Sequence, residues 1–177
     1  AGPLLRAALR EGGGELVLYE CTDFPLEWHR RKVIMPEVCA DTVVFEHGSR
    51  WWILTTIKGE GRAENSAELH AFYTDDPLGE WQPHALNPIV MDASKGRNGG
   101  LLTDDEGITY RVAQRAGFRT YGDGFAISRI DEITPGSYRE TLVREVEPDF
   151  FPNLAGAHHM HSRGGLTVYD FNRDERP

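Results

Sequence analysis

Five residues at the starts of three predicted strands could together bind or process a sugar. Asp41 precedes an apolar, β-branched run, Arg97 and Asn98 precede a second short strand, and His158 and His159 lead into a third. Sugar hydroxyls are bound by groups that donate and accept hydrogen bonds, and a phosphate is bound best by a guanidinium. If the three strand starts meet in the fold, these side chains would line one polar site for a sugar or a sugar phosphate.

Three further polar residues are candidates for the rim of such a site. Arg111 and Gln114 lie on the strand that follows the one opened by Asn98, and Tyr121 lies on the next loop beside a glycine. The predicted catalytic residues are Asp41 and His159. The predicted substrate-binding residues are Arg97, Asn98, Arg111, Gln114, Tyr121 and His158.

Each candidate also has a structural interpretation. Asp41 could cap a turn, and Arg97 could be a solvated charge in a flexible stretch. His159 and His161 alternate on one strand face, as a pair of zinc ligands would, but no third ligand stands at a suitable spacing. We therefore expect no metal and no cofactor, and the histidines could serve only as hydrogen-bonding groups.

Composition excludes two classes of function. The chain has 177 residues, 40% of them hydrophobic, and a formal net charge of −9. That charge argues against nucleic-acid binding, because an acidic surface releases no counterions from a phosphate backbone. No apolar run approaches the roughly 20 residues of a membrane span. The two cysteines, Cys21 and Cys39, are either buried fillers or one bridge.

A repeat of about 58 residues indicates how the strands are organised. Glycines that close a turn after a short apolar strand are separated by 59 and 57 residues, at Gly48, Gly107 and Gly164. A proline three or four residues before a large aromatic recurs with a similar period, at Trp28, Trp81 and Tyr138. Strand-rich repeats of this length are typical of β-propeller blades. We predict an all-β propeller.

The repeat divides residues 1–177 into parts of one propeller domain. Residues 15–35 are predicted to form the outer strands of one blade, 41–90 and 98–146 a blade each, and 156–171 the inner strands of a further blade. Residues 1–14 are predicted to be flexible or to include a helical turn over 4–10. Closing these strands into a ring would give three blades, below the usual four to eight. We therefore expect about two blades before Ala1 or a second chain; an open β structure is the alternative.

Several motifs resemble those of a known family. They are ADTVVFEH (40–47), DPLGEWQPH (76–84) with NPI (87–89), RNGG (97–100), YRVAQ (110–114), YG (121–122) and GAHH (156–159). From about Glu15 to Asp170 the chain resembles the propeller domain found beside plant glucosamine inositolphosphorylceramide transferases and in some bacterial sugar-formyltransferase-like proteins. That domain is similar to the five-bladed propellers of arabinanase, xylosidase and invertase-type glycoside hydrolases. The resemblance implies a carbohydrate-related role and five blades in the complete form, about three of which this chain supplies.

Three functional hypotheses follow. The first is a module beside a transferase that recognises or processes a glycan or sugar phosphate at its central funnel. The second is a glycoside hydrolase-like enzyme that uses Asp41 as one of two carboxylates, although Asn98 stands where such an enzyme often has an acid. The third is a protein-interaction propeller, which predicts an exposed apolar patch and no convergent polar funnel.

Overall fold

The secondary structure of the described residues consists of β-strands. The computed structural model describes residues 5–9, 14–57, 68–115 and 122–173, and in those ranges it contains no helix that could cross a membrane. The strands in chain order are β1 (Leu5–Leu9), β2 (Leu16–Asp23), β3 (Glu27–Met35), β4 (Cys39–His47), β5 (Arg50–Ile57), β6 (Glu68–Thr74), β7 (Gln82–Pro83), β8 (Val90–Met91), β9 (Asn98–Thr103), β10 (Thr109–Gln114), β11 (Phe125–Thr134), β12 (Ser137–Val146), β13 (Leu154–Gly156), β14 (Met160–Arg163), β15 (Leu166–Tyr169) and β16 (Asn172–Arg173).

These strands form three main sheets, in which strands that follow one another in the sequence lie side by side, except where β8 lies beside β6 and β14 lies beside β9. The first sheet has the order β1-β2-β3, and the second has the order β4-β5-β6-β7 with β8 on β6. The third runs β12-β11-β10-β9 and continues through β14 to β15, and β13 pairs separately with β16. Consecutive strands pair antiparallel, whereas β14 and β9 pair in parallel at Ser162 and Leu102. The β14–β15 hairpin is therefore joined to the β9–β12 sheet along the first strand of each.

The first strands of successive units stand side by side. Strand β4 contacts β9 and β1, and β9 contacts β14. A row of inner strands of this kind is how propeller blades surround a central axis. The segments that precede β4, β9 and β14 consequently come together at one end of the row.

The repeated glycines have a conformational reason. Gly48, Gly107 and Gly164 adopt φ values of 65°, 81° and 59°, in the left-handed region that residues with a Cβ rarely enter. Gly48 and Gly164 turn the chain between β4 and β5 and between β14 and β15, and Gly107 does so between β9 and β10. The 58-residue period in the sequence is thus the period of the turns that follow the inner strands.

A hydrophobic core links the second and third sheets. Trp52 and Leu54 on β5 are buried together with Leu101 on β9 and Ile130 on β11. The residues alternate along each strand, so one face of β5 packs on the third sheet and Ile53 on the other face packs on the first sheet. This packing holds β4 and β9 in their positions at the centre.

The beginning of the chain differs from the expectation of a helical turn or a flexible segment. Leu5–Leu9 forms β1 and pairs with β2. Leu5 and Ala7 are each 8% exposed, because alternate side chains of this strand pack into the core. The first sheet therefore has three strands where two were predicted. Within the predicted blade 41–90, the segment after Trp81 is paired as a strand at Gln82–Pro83.

The two cysteines are free thiols. Cys39 is buried at the start of β4, and burial raises the pKa of its thiol to about 11. Of the two interpretations of the cysteines, the structure supports separate residues and not a bridge.

Candidate functional site

The starts of β4 and β9 meet through Asp41. Arg97 Nε donates a hydrogen bond to Asp41 Oδ2 at 2.5 Å, and Asn98 Nδ2 donates to the Asp41 carbonyl oxygen at 2.9 Å. Asp41 has a φ of 53°, so its backbone turns sharply between Ala40 and the rest of the strand. The Asp41 and Arg97 side chains are 19% and 25% exposed. The ion pair is therefore mostly covered by protein and still partly open to solvent.

Gln114 supports the site from behind. Its Nε2 donates to the Asn98 carbonyl oxygen at 2.8 Å, and its backbone N–H donates to the Arg97 carbonyl oxygen at 2.9 Å. Asn98 and Gln114 are both buried. The Asn98 side chain thus fixes the backbone of Asp41, and Gln114 fixes the backbone of Arg97 and Asn98 through its own N–H and its side chain. Of these four residues, Asp41 and Arg97 are the ones that reach the surface.

His158 and His159, just before β14, are held by Asp170. Asp170 Oδ1 accepts hydrogen bonds from the backbone N–H groups of His158 and His159, at 3.1 and 2.9 Å. His158 Nδ1 lies 2.9 Å from Asp170 Oδ2, and the Asp170 N–H donates to the His159 carbonyl oxygen at 3.1 Å. Asp170 directly follows β15, so the β14–β15 hairpin returns it to the start of β14.

His159 connects the two halves of the site electrostatically. Burial lowers the pKa of its imidazole, and the negative charges of Asp170 and Asp41 only partly oppose that effect. His159 is consequently neutral at pH 7. Because β9 lies against the start of β14 at Gly99 and Gly100, and Thr42 and His159 line one cleft, the three strand starts form a single polar site. We call it the central site: Asp41, Arg97, Asn98, His158, His159 and Asp170.

The central site depends on a close approach of two backbones. A Cβ on Gly99 would lie 2.6 Å from the His158 carbonyl oxygen, and one on Gly100 would lie 2.1 Å from the Met160 carbonyl oxygen. Real Cβ atoms do not come so near to a backbone oxygen. The pair of glycines after Asn98 is therefore what allows the start of β14 to lie against β9.

Two clefts lie along the inner strands, and of these the larger includes a residue of the central site. The larger, about 600 Å³, includes Thr42, His159 and His161 on its polar side. Its other walls are mainly apolar and come from the first sheet and from β15: Leu5, Ala7, Phe24, Trp28, Leu166 and Val168. A second cleft, of about 560 Å³, lies at the turns and includes Glu46, Asp104 and Asp105. Asp41 and Arg97 do not line either cleft. The larger cleft meets the central site at His159, which belongs to both, and at Thr42, which follows Asp41 in the chain.

The structure does not bring all the predicted residues to one place. Arg111 is fully buried, and its guanidinium makes a two-pronged pair with Glu140, at 2.7 and 2.6 Å. It therefore stabilises the third sheet and is not at the rim. Tyr121 lies outside the described residues. Asp170 was missed by the sequence analysis, although its position after the strand that pairs back to His159 is a signal that hairpin geometry could have supplied.

The histidines in and just before β14 are not part of a cluster of possible metal ligands in the described residues. In residues 5–9, 14–57, 68–115 and 122–173, no group of three or more His, Cys, Asp or Glu side chains is gathered in a way that could hold a metal ion. His161 instead accepts a hydrogen bond on Nδ1 from the Leu101 N–H, at 3.4 Å.

Comparison with known proteins identifies the family. A family model described as glucosamine inositolphosphorylceramide transferase 1, N-terminal, matches residues 9–150. The chain belongs to this family. The resemblance inferred from the motifs is thereby confirmed.

Plant members of the glucosamine inositolphosphorylceramide transferase family are similar over most of this chain. The transferase 1 proteins of Oryza sativa subsp. japonica and Arabidopsis thaliana are 37% and 33% identical over 131 and 132 residues. Each match covers 73% of this chain but only 18% and 17% of the plant protein. The chain thus spans less than a fifth of the length of these relatives.

Solved structures with the same fold are carbohydrate-related. The match with Xyloglucan PUL GH43B of Bacteroides ovatus covers 97% of this chain and 35% of the Bacteroides chain, with a TM-score of 0.52 and 14% identity. The match with the endo-arabinase of Bacteroides thetaiotaomicron covers 89% of this chain and 55% of the endo-arabinase chain, with a TM-score of 0.52 and 15% identity. The predicted fold is confirmed: an all-β propeller of the five-bladed type, of which this chain covers about three blades' worth of strands.

Proposed function

We propose that this carbohydrate-related propeller recognises a glycan or sugar phosphate at the central site. The observation that carries the proposal is the convergence of three inner-strand starts on one partly exposed polar cluster. Asp41 meets Arg97 and Asn98 there, which lie 56 and 57 residues further along the chain. A structural ion pair alone would not need histidines from a third strand beside it. Concave polar clusters at the meeting point of several elements are typical ligand sites.

The proposed roles follow from exposure. Asp41 and Arg97 contact the ligand, Asp41 accepting hydrogen bonds from hydroxyls and Arg97 donating to ring or phosphate oxygens. His158 and His159 contact it from the opposite side of the site. Asn98 and Gln114 are buried and act by holding the backbone of the first two residues.

The proposed setting is beside a transferase. The named relatives are glucosamine inositolphosphorylceramide transferases that are more than five times longer than the matching segment. The propeller would then present a glycan to, or recognise a glycan for, another part of a longer protein, and further blades or a second chain would complete its ring.

A glycoside hydrolase-like activity is the second candidate, and Asp170 favours it. Hydrolysis needs an acid and a base or nucleophile about 5–10 Å apart, and Asp41 and Asp170 are two carboxylates at one mouth. Both are already engaged, Asp41 by Arg97 and Asp170 by His158 and two backbone N–H groups. Recognition therefore ranks first. The apolar walls of the larger cleft agree with an interaction propeller, but that hypothesis predicts no convergent polar site.

Sugar binding tests the proposal directly. We would titrate a panel of methyl glycosides, an amino sugar and a sugar 1-phosphate by calorimetry against the wild type, Asp41→Asn and a matched control, Asp75→Asn. Asp75 accepts a hydrogen bond from Arg50 Nε at 2.9 Å, but it does so on the exposed surface. We expect Asp41→Asn to weaken binding about tenfold, the effect of losing a charge-assisted hydrogen bond, and Asp75→Asn to change nothing.

Two results would overturn the proposal. One is that no member of the panel binds the wild type. The other is that Asp41→Asn binds as tightly as the wild type. Release of reducing sugar from aryl glycosides by the wild type, abolished in Asp41→Asn, would instead establish the hydrolase candidate.

A further inference from the structure

We propose that Thr55 is a positioning residue: its buried hydroxyl holds a bulge in β4 that directs Asp41 toward Arg97, and it thereby sets the affinity of the central site for its ligand. The inference rests on the proposed function for the existence of that ligand. The role of Thr55 in the bulge rests on the contacts of Thr55 alone.

Strand β4 carries an extra residue at the position of Asp41. The register of β4 on β5 shifts between Ala40 and Val43, so Asp41 and Thr42 together stand opposite the single residue Thr55. Two residues facing one define a β-bulge, which locally redirects side chains and is common beside active sites. The left-handed φ of Asp41, 53°, lies within this bulge.

The packing of β4 shows that the bulge exchanges the two faces of the strand. Side chains two residues apart share a face in a regular strand, so Cys39, Val43 and Phe45 would all point the same way. Instead, Cys39 packs beside Ile53 in the core shared with the first sheet, whereas Val43 and Phe45 pack in the core between the second and third sheets. The extra residue is therefore required by the packing on both sides of β4.

The Thr55 hydroxyl ties the bulge to β5. Thr55 is fully buried, and its Oγ1 donates a hydrogen bond to the Ala40 carbonyl oxygen at 3.3 Å and lies 2.5 Å from Thr42 Oγ1. Burial raises the pKa of the Cys39 thiol to about 11, and a hydrogen bond with the Thr55 side chain opposes that shift in part. One hydroxyl thus contacts the residues immediately before and after Asp41.

Asn98 fixes the same bulge from the neighbouring strand. Its Nδ2 donates to the Asp41 carbonyl oxygen at 2.9 Å, and the Asp41 carboxylate accepts from Arg97 Nε at 2.5 Å. The backbone of Asp41 is therefore held from β5 by Thr55 and from β9 by Asn98. Groups that contact a ligand keep their geometry through such supporting hydrogen bonds, so the loss of the Thr55 hydroxyl should displace the carboxylate.

Thr56 is a matched control on the same strand. It is the next residue of β5 and is 3% exposed, but its hydroxyl has no hydrogen-bond partner among the described residues. Thr56→Val therefore removes a buried hydroxyl of the same kind without removing a contact to the bulge.

NMR reads the bulge without any ligand. The amide and α protons of a residue with a left-handed φ lie closer together than those of an extended residue, so Asp41 of the wild type should give a strong cross-peak between these two protons. Thr55→Val keeps the shape of the side chain without the hydroxyl and should weaken that cross-peak, whereas Thr55→Ser and Thr56→Val should keep it. An unweakened cross-peak in Thr55→Val would overturn the inference. An extended Asp41 in the wild type would also overturn it, whether or not any variant folds.

Ligand binding separates positioning from stability. The methyl glycoside that binds the wild type most tightly should bind Thr55→Val about tenfold more weakly, and should bind Thr55→Ser and Thr56→Val as it binds the wild type. Thr55→Ser loses a buried methyl group, so it should melt at a lower temperature while it keeps its affinity.

Three outcomes of the binding experiment have distinct meanings. If the affinity of Thr55→Ser falls together with its melting temperature, Thr55 serves stability only and the inference is overturned. Unchanged affinity in Thr55→Val would overturn it as well. If no glycoside binds the wild type, the proposed function fails, and the Asp41 cross-peak alone decides whether Thr55 holds the bulge.

Discussion

The backbone and the carboxylate of Asp41 place different demands on a substitution. Its φ of 53° is in the left-handed region, which asparagine tolerates far better than alanine. We expect Asp41→Ala to lower the free energy of unfolding by about 1 kcal/mol more than Asp41→Asn, as measured by urea denaturation. Equal stabilities of the two variants would contradict this account of the backbone. Because asparagine tolerates this backbone conformation, Asp41→Asn is the better variant for binding studies.

Arg111 and Glu140 form the most costly buried charge pair among the described residues. Arg111 is fully buried and the Glu140 side chain is 11% exposed, and Tyr138 donates its hydroxyl to Glu140 at 2.6 Å. Removing one member leaves a buried charge without compensation. We expect Glu140→Gln to lower the free energy of unfolding by about 3 kcal/mol, and Glu145→Gln, at an exposed position of the same strand, to have little effect.

The same pair predicts how stability depends on pH. Burial raises the pKa of Glu140, but hydrogen bonds and the charge of Arg111 lower it more, so the pKa lies below its ordinary value of 4.5. A carboxyl whose pKa is lower in the folded state stabilises the fold above the unfolded pKa and loses that contribution as the pH falls. Stability should therefore fall below about pH 4.5, and less steeply in Glu140→Gln. A wild type and a variant with the same pH profile from pH 6 to pH 3 would contradict the prediction.

At the scale of strands, the sequence predicted the positions of the inner strands β4, β9 and β14 better than it predicted which side chains pair between strands. The glycine period located the turns after β4, β9 and β14, because only a residue without a Cβ enters those turns easily. Convergence of their starts followed from the propeller hypothesis. The burial of Arg111 did not follow, since its partner Glu140 is two strands away and no local pattern marks that pairing. Strand β1 was missed because five residues with a Leu-Arg-Ala-Ala-Leu sequence suit a helix equally well until the core selects a strand.

The contact between β9 and β14 predicts a large effect of one methyl group. Alanine at Gly100 would place its Cβ 2.1 Å from the Met160 carbonyl oxygen, at a φ of 129°. Alanine at Gly107 has a similarly unfavourable φ of 81° but nothing within 4 Å. We expect Gly107→Ala to cost about 1 kcal/mol and Gly100→Ala several times more, with broadened His158 and His159 NMR signals as the strands separate. Thermal unfolding would compare the melting temperatures of Gly100→Ala and Gly107→Ala. Similar melting temperatures would argue against the close contact between β9 and β14.

At the scale of the whole molecule, the last sheet ends in an apolar strand. In the described part of the chain β15 is the end of its sheet, and Leu166 and Val168 are 52% and 57% exposed on it. An uncharged edge strand readily pairs with another chain. We expect the isolated chain to self-associate as its concentration rises and Val168→Lys to reduce that association in analytical ultracentrifugation.

A matched position serves as the control for that prediction. Val143 on β12 is also 57% exposed, but the charged residues Arg144 and Glu145 follow it in the strand. Val143→Lys should leave self-association as in the wild type. If both lysine variants behave alike, or if the wild type is monomeric throughout, β15 is not the associating edge.

The central site joins Asp41 to residues 56 and 57 positions further along the chain, and includes residues of a third strand start, so no short continuous segment contains it. In the unfolded ensemble the site does not exist, and a ligand that occupies it binds only the folded state. Such a ligand raises the free energy of unfolding by RT ln(1 + [L]/Kd), about 2.7 kcal/mol at a concentration one hundred times Kd. Heat resistance of the whole protein is therefore an assay for its ligand, and a chemical library could be screened by melting temperature before any substrate is known.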